Sequence, residues 1–586
     1  MRSIALAAAV VAGAVSLWVF RSYELDDAFI TYRIAENLAH GRGFVYNEGE
    51  RIAVGTTPLW TIVLALAGMA GLSVPRAGQV LSVALLGSAA YLAALLGKPS
   101  RPVLHAVTIV LFVVPSFFLL STSGMESSLY LSLACAALLL FERRRPVPAG
   151  VACGLLAITR TDGILLAAIL AAVALRKRDR PLVAAFAPFA LIALAWYGFA
   201  WAYFGSPAPV TLAAKIAQRR SGLWGEGPIF LRGALRWLGA IGAESRLLLY
   251  VPVVRRWAIG RYLPFFGVVP LLAAWGLVRG PRSLRLLALH AGLVTAAYGA
   301  LNVPDYHWYY APLVFALLVL AAAGIASLPS SGTALLLAVL LAIAGFAPLA
   351  ARAGKSYPAV AAYRAAASAV KELGPGKTLS AAEIGIVGEA SGAPMRDWLG
   401  LACPGAAPLL ASRRLDLFLD AWTPDLLLVH EPLWPQEAAL FGSAGARRYG
   451  FLRAIQHEGV TLCLLRRGDV PVPGGVVAIP GAIGLADGAT EALALPPFDP
   501  RAYDVARIEA TSRGPAALRL SFRTEVVQDD RQPYRVDIAV AGPRRAYEVP
   551  IARDWRFVTT GKVTRMTLEA LGSPVTVHGF ALGSGS

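Results

Sequence analysis

Apolar runs long enough to cross a bilayer recur through the first 350 residues, and no other feature limits the fold as strongly. A chain in hydrocarbon must satisfy every backbone N–H and C=O internally, so such runs read as membrane helices. The firmest spans are about 3–20, 76–97, 102–120, 127–142, 182–204, 263–279, 284–301, 309–328 and 333–350. A weaker pair, about 147–160 and 163–175, flanks "TRTDG" and reads as a short hairpin with its tip at the far interface. Composition agrees: 57% of residues are hydrophobic, 15% are charged, and the mean hydropathy is +0.59.

The segment "TTPLWTIVLALAGMAGL" (56–72) is apolar enough to span. If it did, "ERRRP" (142–146), "RKRDR" (176–180) and "RGPRSLR" (279–285) would face outward, against the positive-inside rule. Placed instead as an interfacial helix, it leaves those clusters in the cytoplasm. The expected architecture is therefore a polytopic α-helical membrane protein of about eleven spans, N-terminus in and C-terminus out. The opening "MRSIALAAAVVAGAVSLWVF" reads as an uncleaved anchor rather than a signal peptide.

This topology gathers the unusual polar residues on the outer side. The first outer loop opens with Asp26 and Asp27 and also carries Glu48 and Glu50. Later outer loops hold "STSGMESS" (121–128), "TRTDG" (159–163), "FGSPAPVTLAAK" (204–215) and "NVPDYHWYY" (302–310). Polar groups at membrane depth usually line a cavity, so an outward-facing site is the economical reading. Residues 215–261 are basic, with Trp224, Trp237 and Trp257 interleaved, and read as amphipathic helices on the membrane surface. The net charge of +18 is explained by topology and lipid contact and does not call for nucleic acid.

Beyond residue 350 the apolar runs stop. Residues 351–470 mix helix and strand and read as an extracytoplasmic α/β domain. Residues 471–586 alternate at period two between turn signals, as in "AALRLSFRTEV" and "YRVDIAVAG", and read as a β-sandwich that binds carbohydrate. Residues 1–350 form the remaining, transmembrane domain. Cys403 and Cys463 could pair if this part is extracytoplasmic, and there is no metal-spaced Cys/His motif.

With these segments in place, "LDDAFITYRIAENLAHGRGFVYNEGERIAVGTTPLW" resembles the first outer loop of GT-C-fold membrane glycosyltransferases that use polyprenyl-phosphate sugars, in the bacterial arabinofuranosyl- and mannosyltransferase-like branch. "TSGMESSLY", "TRTDGIL", "GSPAPVTLAAK", "YHWYYAPL" and "AAEIGIVGEASGAPMRDWLGL" resemble later family blocks in the same order. The likeness covers about residues 1–405. It departs from the family at 208–211, where Ala-Pro-Val-Thr stands in place of the usual Pro-Asn-Thr, and at His307, where an Arg is common.

The resemblance implies a single displacement at the anomeric carbon of a polyprenyl-phosphate sugar, with a glycan, lipid or protein as acceptor. Asp26 would be the general base and Asp27 its support, although an acidic pair there also suits the first turn of a helix. Lys215, Arg160 and His307 are the cations available to the donor phosphate. Arg160 could equally pair with Asp162, and His307 could belong to an aromatic belt with Tyr306, Trp308, Tyr309 and Tyr310. Glu126, Glu48, Tyr306 and Trp308 are candidates for sugar or acceptor contact. The chemistry requires no cofactor, and a divalent cation is left unassigned. The heavy Ala, Arg and Gly usage points to a bacterial inner membrane. The competing class, a transporter or flippase of lipid-linked sugar, calls for inverted repeats and broken helices.

Overall fold

The protein was analysed as a computed structural model. It describes scattered positions in the first twenty residues and then 21–97, 101–178, 183–241 except 185, 268–350, 359–469, 477–528 except 480, 534–551 and 558–583. The chain separates into two compact units, Met1–Val360 and Ala361–Ser586.

The first unit is helical. Among the described residues, four helices are long and apolar enough to cross a membrane: Val74–Leu96, Phe186–Phe204, Arg282–Leu301 and His307–Ala326. Other expected spans appear as shorter apolar helices, including Ser127–Glu142, Pro146–Thr159 and Val268–Arg279. One expected span, 102–120, is broken. Its helix Pro102–Ser116 ends before Phe117, and a short helix follows at Phe118–Thr122. The expected first span lies largely outside the described residues, as do Arg246, Arg255, Arg256, Trp257 and Arg261.

The Pro58–Met69 helix has 12 residues, about 18 Å at ~1.5 Å per residue, which is short for a ~30 Å hydrocarbon core. Residues 147–175 form a broken helix pair. Pro146–Thr159 ends at an extended Arg160, and a 3-10 turn Thr161–Gly163 leads into Ile164–Arg176.

Small residues set the helix contacts. Val268–Arg279 packs on Ala311–Ala326, where a Cβ at Gly276 would strike the Leu320 carbonyl and one at Gly324 the Leu272 carbonyl. Such close crossings replace hydrophobic burial as the source of cohesion where lipid is the solvent. Phe186–Phe204 packs on Pro146–Thr159 yet leaves Leu191, Leu194 and Trp201 exposed, as a lipid-facing surface would.

The second unit holds two sheets. The first has the order β1-β2-β4-β3, with β1 Leu379–Ser380, β2 Leu426–Glu431, β3 Tyr449–His457 and β4 Val460–Arg467. Only β1 and β2 pair in parallel. The Ala359–Glu372 helix precedes it; Tyr363 donates to or accepts from His430 Nε2 at 3.0 Å.

The second sheet is antiparallel, with seven strands: β5 Val477–Ile479, β6 Ile483–Leu485, β7 Thr490–Leu493, β8 Val505–Thr524, β9 Tyr534–Pro550, β10 Val563–Leu571 and β11 Val575–Gly583. Its main path runs β5-β11-β8-β10-β7, with β6 on β11 and β9 on β8. The sequence led us to expect two packed sheets. The strands form one connected ladder, because β8 is long enough to take β11 along 505–512 and β10 along 517–524. Register shifts between Ala510 and Ala516, opposite β9, separate the two halves. Arg447 ties the two sheets together through Asp504 (2.7 Å) and the Arg501 carbonyl (2.9 Å).

The four cysteines are buried, and none is in a disulfide. Cys403 and Cys463, the pair that could have bridged, are separate thiols: Cys463 faces the core from β4, and Cys403 donates its backbone N–H to Asp397.

Candidate active site

The acidic pair opens the helix Asp26–Ala39, with Leu25 as N-cap. Leu25 offers no capping side chain, and the two carboxylates stand in the first turn at the positive end of the helix. The helix buries Phe29, Tyr32, Arg33, Ile34 and Asn37. Arg33 donates to the Tyr46 carbonyl at 2.9 Å and lies over the Tyr46 ring, and Asn37 donates to the Val45 carbonyl at 2.8 Å. Those bonds fold the first outer loop back on the helix.

Three bonds fix the 121–128 segment beside it. Tyr32 donates to the Ser123 carbonyl (2.8 Å), Trp60 Nε1 to the Gly124 carbonyl (2.9 Å), and Ser82 to the Met125 carbonyl (3.0 Å). Gly124 has φ +76°, and a Cβ there would collide with the Tyr32 hydroxyl. Glu126, next in line, is buried.

Arg160 is buried between two carboxylates, Asp162 at 2.8 Å and Glu126 at 3.8 Å. It also donates to the Trp308 carbonyl (3.2 Å) and the Tyr298 hydroxyl (3.3 Å), and Tyr298 donates in turn to Asp162 (3.0 Å). The rings of Tyr130 and Tyr309 lie under the guanidinium at 5.2 and 5.6 Å. Of the two roles open to Arg160 in the sequence, the carboxylate pairing is the one the geometry displays.

Lys215 does not close a Pro-rich loop, as its sequence context implied. It stands within the helix Val210–Ser221, which starts directly after Pro209. Its ammonium lies 3.8 Å from the centre of the Tyr306 ring, a cation–π contact. Tyr306 in turn stacks on Trp308 with ring centroids 4.9 Å apart and planes 13° from parallel. The turn His307–Tyr310 is held further by Tyr310, which donates to the Phe230 carbonyl at 2.9 Å. Asn302 Oδ1 accepts from Phe230 N at 3.2 Å.

These elements converge electrostatically on Asp27. Burial pushes its carboxyl up to about 6; Lys215 pulls it down, while Asp26 and Glu126 push it up. Burial likewise raises Glu126 against the opposing pull of Arg160. The acids Asp26, Asp27, Glu126 and Asp162 thus share a neighbourhood with the cations Arg160 and Lys215. A half-buried carboxylate with a proton affinity near neutrality is suited to accept a proton from a hydroxyl.

Two expected residues have no hydrogen bond or ion pair to these acids and cations among the described residues. Glu48 is exposed and has no hydrogen bond or ion pair among the described residues, whereas its neighbour Glu50 accepts from Asn47 at 3.1 Å. His307 packs edge-on against Trp308. Tyr298 and Tyr130 were missed; their only signal was a lone phenol near the outer end of an apolar run. Among the described residues no three His, Cys, Asp or Glu side chains form a metal-binding group.

The sequence motifs resemble those of membrane glycosyltransferases that use polyprenyl-phosphate sugars. A particular relative bears this out. The chain is 29% identical over 239 residues to a terminal β-(1→2)-arabinofuranosyltransferase of Mycobacterium tuberculosis. The match covers 36% of this chain and 37% of that protein, so it spans little more than a third of the relative's length. Two solved structures are also similar. ArnT from Cupriavidus metallidurans bound to undecaprenyl phosphate shows 14% identity and a TM-score of 0.48, over 79% of this chain and 97% of its own. The arabinosyltransferase EmbB from Mycobacterium smegmatis shows 13% identity and a TM-score of 0.33, over 98% of this chain and 64% of its own. At such scores neither likeness carries weight for this chain. No protein-family model matches it.

Proposed function

We propose that the chain is a membrane glycosyltransferase that moves a sugar, arabinofuranose or mannose, from a polyprenyl-phosphate donor to an extracytoplasmic glycan, lipid or protein. In this reading the first unit crosses the bacterial inner membrane about eleven times, and its outer loops form the site. The acceptor hydroxyl attacks the anomeric carbon while the acidic pair takes its proton, and the sugar–phosphate bond breaks. The negative charge left on the lipid phosphate is stabilised by Lys215. Asp26 is the base on the motif resemblance. The environment of Asp27, whose carboxyl is raised to about 6, is a specific observation that favours its neighbour. Glu126 and the aromatic turn bind the sugar.

The observation that carries this reading is convergence. Asp27, Glu126, Arg160 and Lys215 come from four separate segments; Lys215 and Glu126 act on the half-buried Asp27, and Arg160 acts on Glu126. The arabinofuranosyltransferase activity of the Mycobacterium tuberculosis relative agrees with it. A flippase needs no proton-accepting carboxylate beside a phosphate-binding cation.

The test is transfer from a panel of labelled polyprenyl-phosphate sugars in purified membranes, comparing wild type with Asp26→Asn and Asp27→Asn. Transfer of one sugar, lost in either variant while donor binding persists, supports the reading and assigns the base. Normal transfer by both variants removes the acid pair from the chemistry. Donor movement across vesicles without transfer replaces the reading with the transporter.

A further inference from the structure

We infer that Arg160 is a positioning residue that fixes the aromatic support of Lys215, rather than a ligand of the donor phosphate. The inference rests on the function proposed above and assigns Asp162 and Tyr298 to the same role.

The argument starts from what the guanidinium already holds. Nη2 donates to Asp162 and to the Tyr298 hydroxyl, and Nη1 donates to the Trp308 carbonyl and faces Glu126. The side chain is 6% exposed. A phosphate could reach it only by displacing a carboxylate from a buried pair, which leaves that carboxylate uncompensated.

What Arg160 does reach is the turn that supports Lys215. Its bond to the Trp308 carbonyl anchors the backbone at the residue whose indole stacks on Tyr306, and Tyr306 is the ring beneath the Lys215 ammonium. A second route runs through Tyr298, which is bonded to Arg160 and Asp162 and lies against Tyr309 with centroids 4.7 Å apart. Asp162 therefore orients the guanidinium, the guanidinium orients the turn, and the turn orients the lysine. The fork geometry matters here. An ammonium cannot serve Asp162, Tyr298 and Trp308 in one plane as a guanidinium does.

The experiment is equilibrium binding of undecaprenyl phosphate to the purified full chain. It compares wild type with Arg160→Lys, Asp162→Asn, Tyr298→Phe, Lys215→Met and the double variant Lys215→Met/Asp162→Asn, each checked for unchanged thermal unfolding. Positioning predicts a loss of about tenfold for Arg160→Lys, Asp162→Asn and Tyr298→Phe alike, with the double variant no weaker than Lys215→Met alone. Wild-type affinity in Arg160→Lys means that charge alone suffices and overturns the inference. So do wild-type affinities in Asp162→Asn and Tyr298→Phe, or additive losses in the double variant. If wild type does not bind the lipid, the proposed function falls and takes this inference with it.

Discussion

The indole of Trp60 donates a hydrogen bond to the carbonyl of Gly124, 64 residues away, at 2.9 Å. Trp60 is thus a buried clamp. It joins the Pro58–Met69 helix to the segment that carries Glu126, at a glycine that Tyr32 leaves no room to replace.

Gly124→Ala should therefore be costly. It places a Cβ at φ +76° and against the Tyr32 hydroxyl, a combination that costs about 1–3 kcal/mol in backbone strain alone. We expect a lower unfolding temperature by scanning fluorimetry and loss of transfer through misplacement of Glu126. Unchanged stability would mean that the segment is held by other contacts.

Proton transfer should show an acid limb. Asp27 holds its proton up to about pH 6, so transfer should rise as pH increases through that value. Removing the Glu126 charge by Glu126→Gln should move the limb to lower pH. Removing the Lys215 charge by Lys215→Met should move it to higher pH, since Lys215 is the group that lowers Asp27. A pH profile of kcat/KM for the three proteins decides this, and a limb that ignores both variants rules out Asp27 as its source.

Asp27→Asn should separate stability from activity. In the folded chain the carboxyl binds its proton more tightly than when unfolded, so its contribution to stability is present below the unfolded value and is lost as pH rises to about 6. At pH 7 the uncharged amide removes that penalty. The variant should melt no lower than wild type, yet lose about 10²–10⁴ in transfer if Asp27 is the base. A lower melting temperature would contradict the electrostatic picture.

In the second unit Glu437 is fully buried. It accepts from His430 N (3.1 Å), Trp434 N (2.9 Å) and His430 Nδ1 (2.8 Å). Glu437→Ala strands those donors and should destabilise this unit by about 1–3 kcal/mol for each donor left unpaired. Limited proteolysis should then cut around β2 first.

The helical character of the first unit was legible because hydropathy is a property of the residues themselves. Helix ends were less so: membrane helices tolerate proline, so Pro115 in "VVPSFF" was read through although the helix ends at Ser116, and the prolines of "GSPAPVTLAAK" drew Lys215 into a loop that ends at Pro209. Asp26, Asp27, Glu126, Arg160 and Lys215 could be chosen from charge and topology. The partnership of Arg160 with Tyr298 could not, because 138 residues separate them and only helix packing sets their distance. Alternation likewise exposed the strands of the second sheet without revealing that β8 serves both halves. Period two specifies which face is buried, but not which neighbour lies alongside.

That shared strand has a consequence for biosynthesis. Of the three partners of β8, only β9 follows closely in the chain; β10 begins at Val563 and β11 ends at Gly583. A chain still emerging at residue 560 carries a long hairpin with one β8 edge unpaired along its whole length. Unpaired edges recruit other strands. The helical unit is synthesised first, so the hairpin waits on whichever side of the bilayer it is delivered to. A stop codon anywhere after β9 and before β10 should therefore yield a chain that inserts in the membrane yet aggregates through its tail.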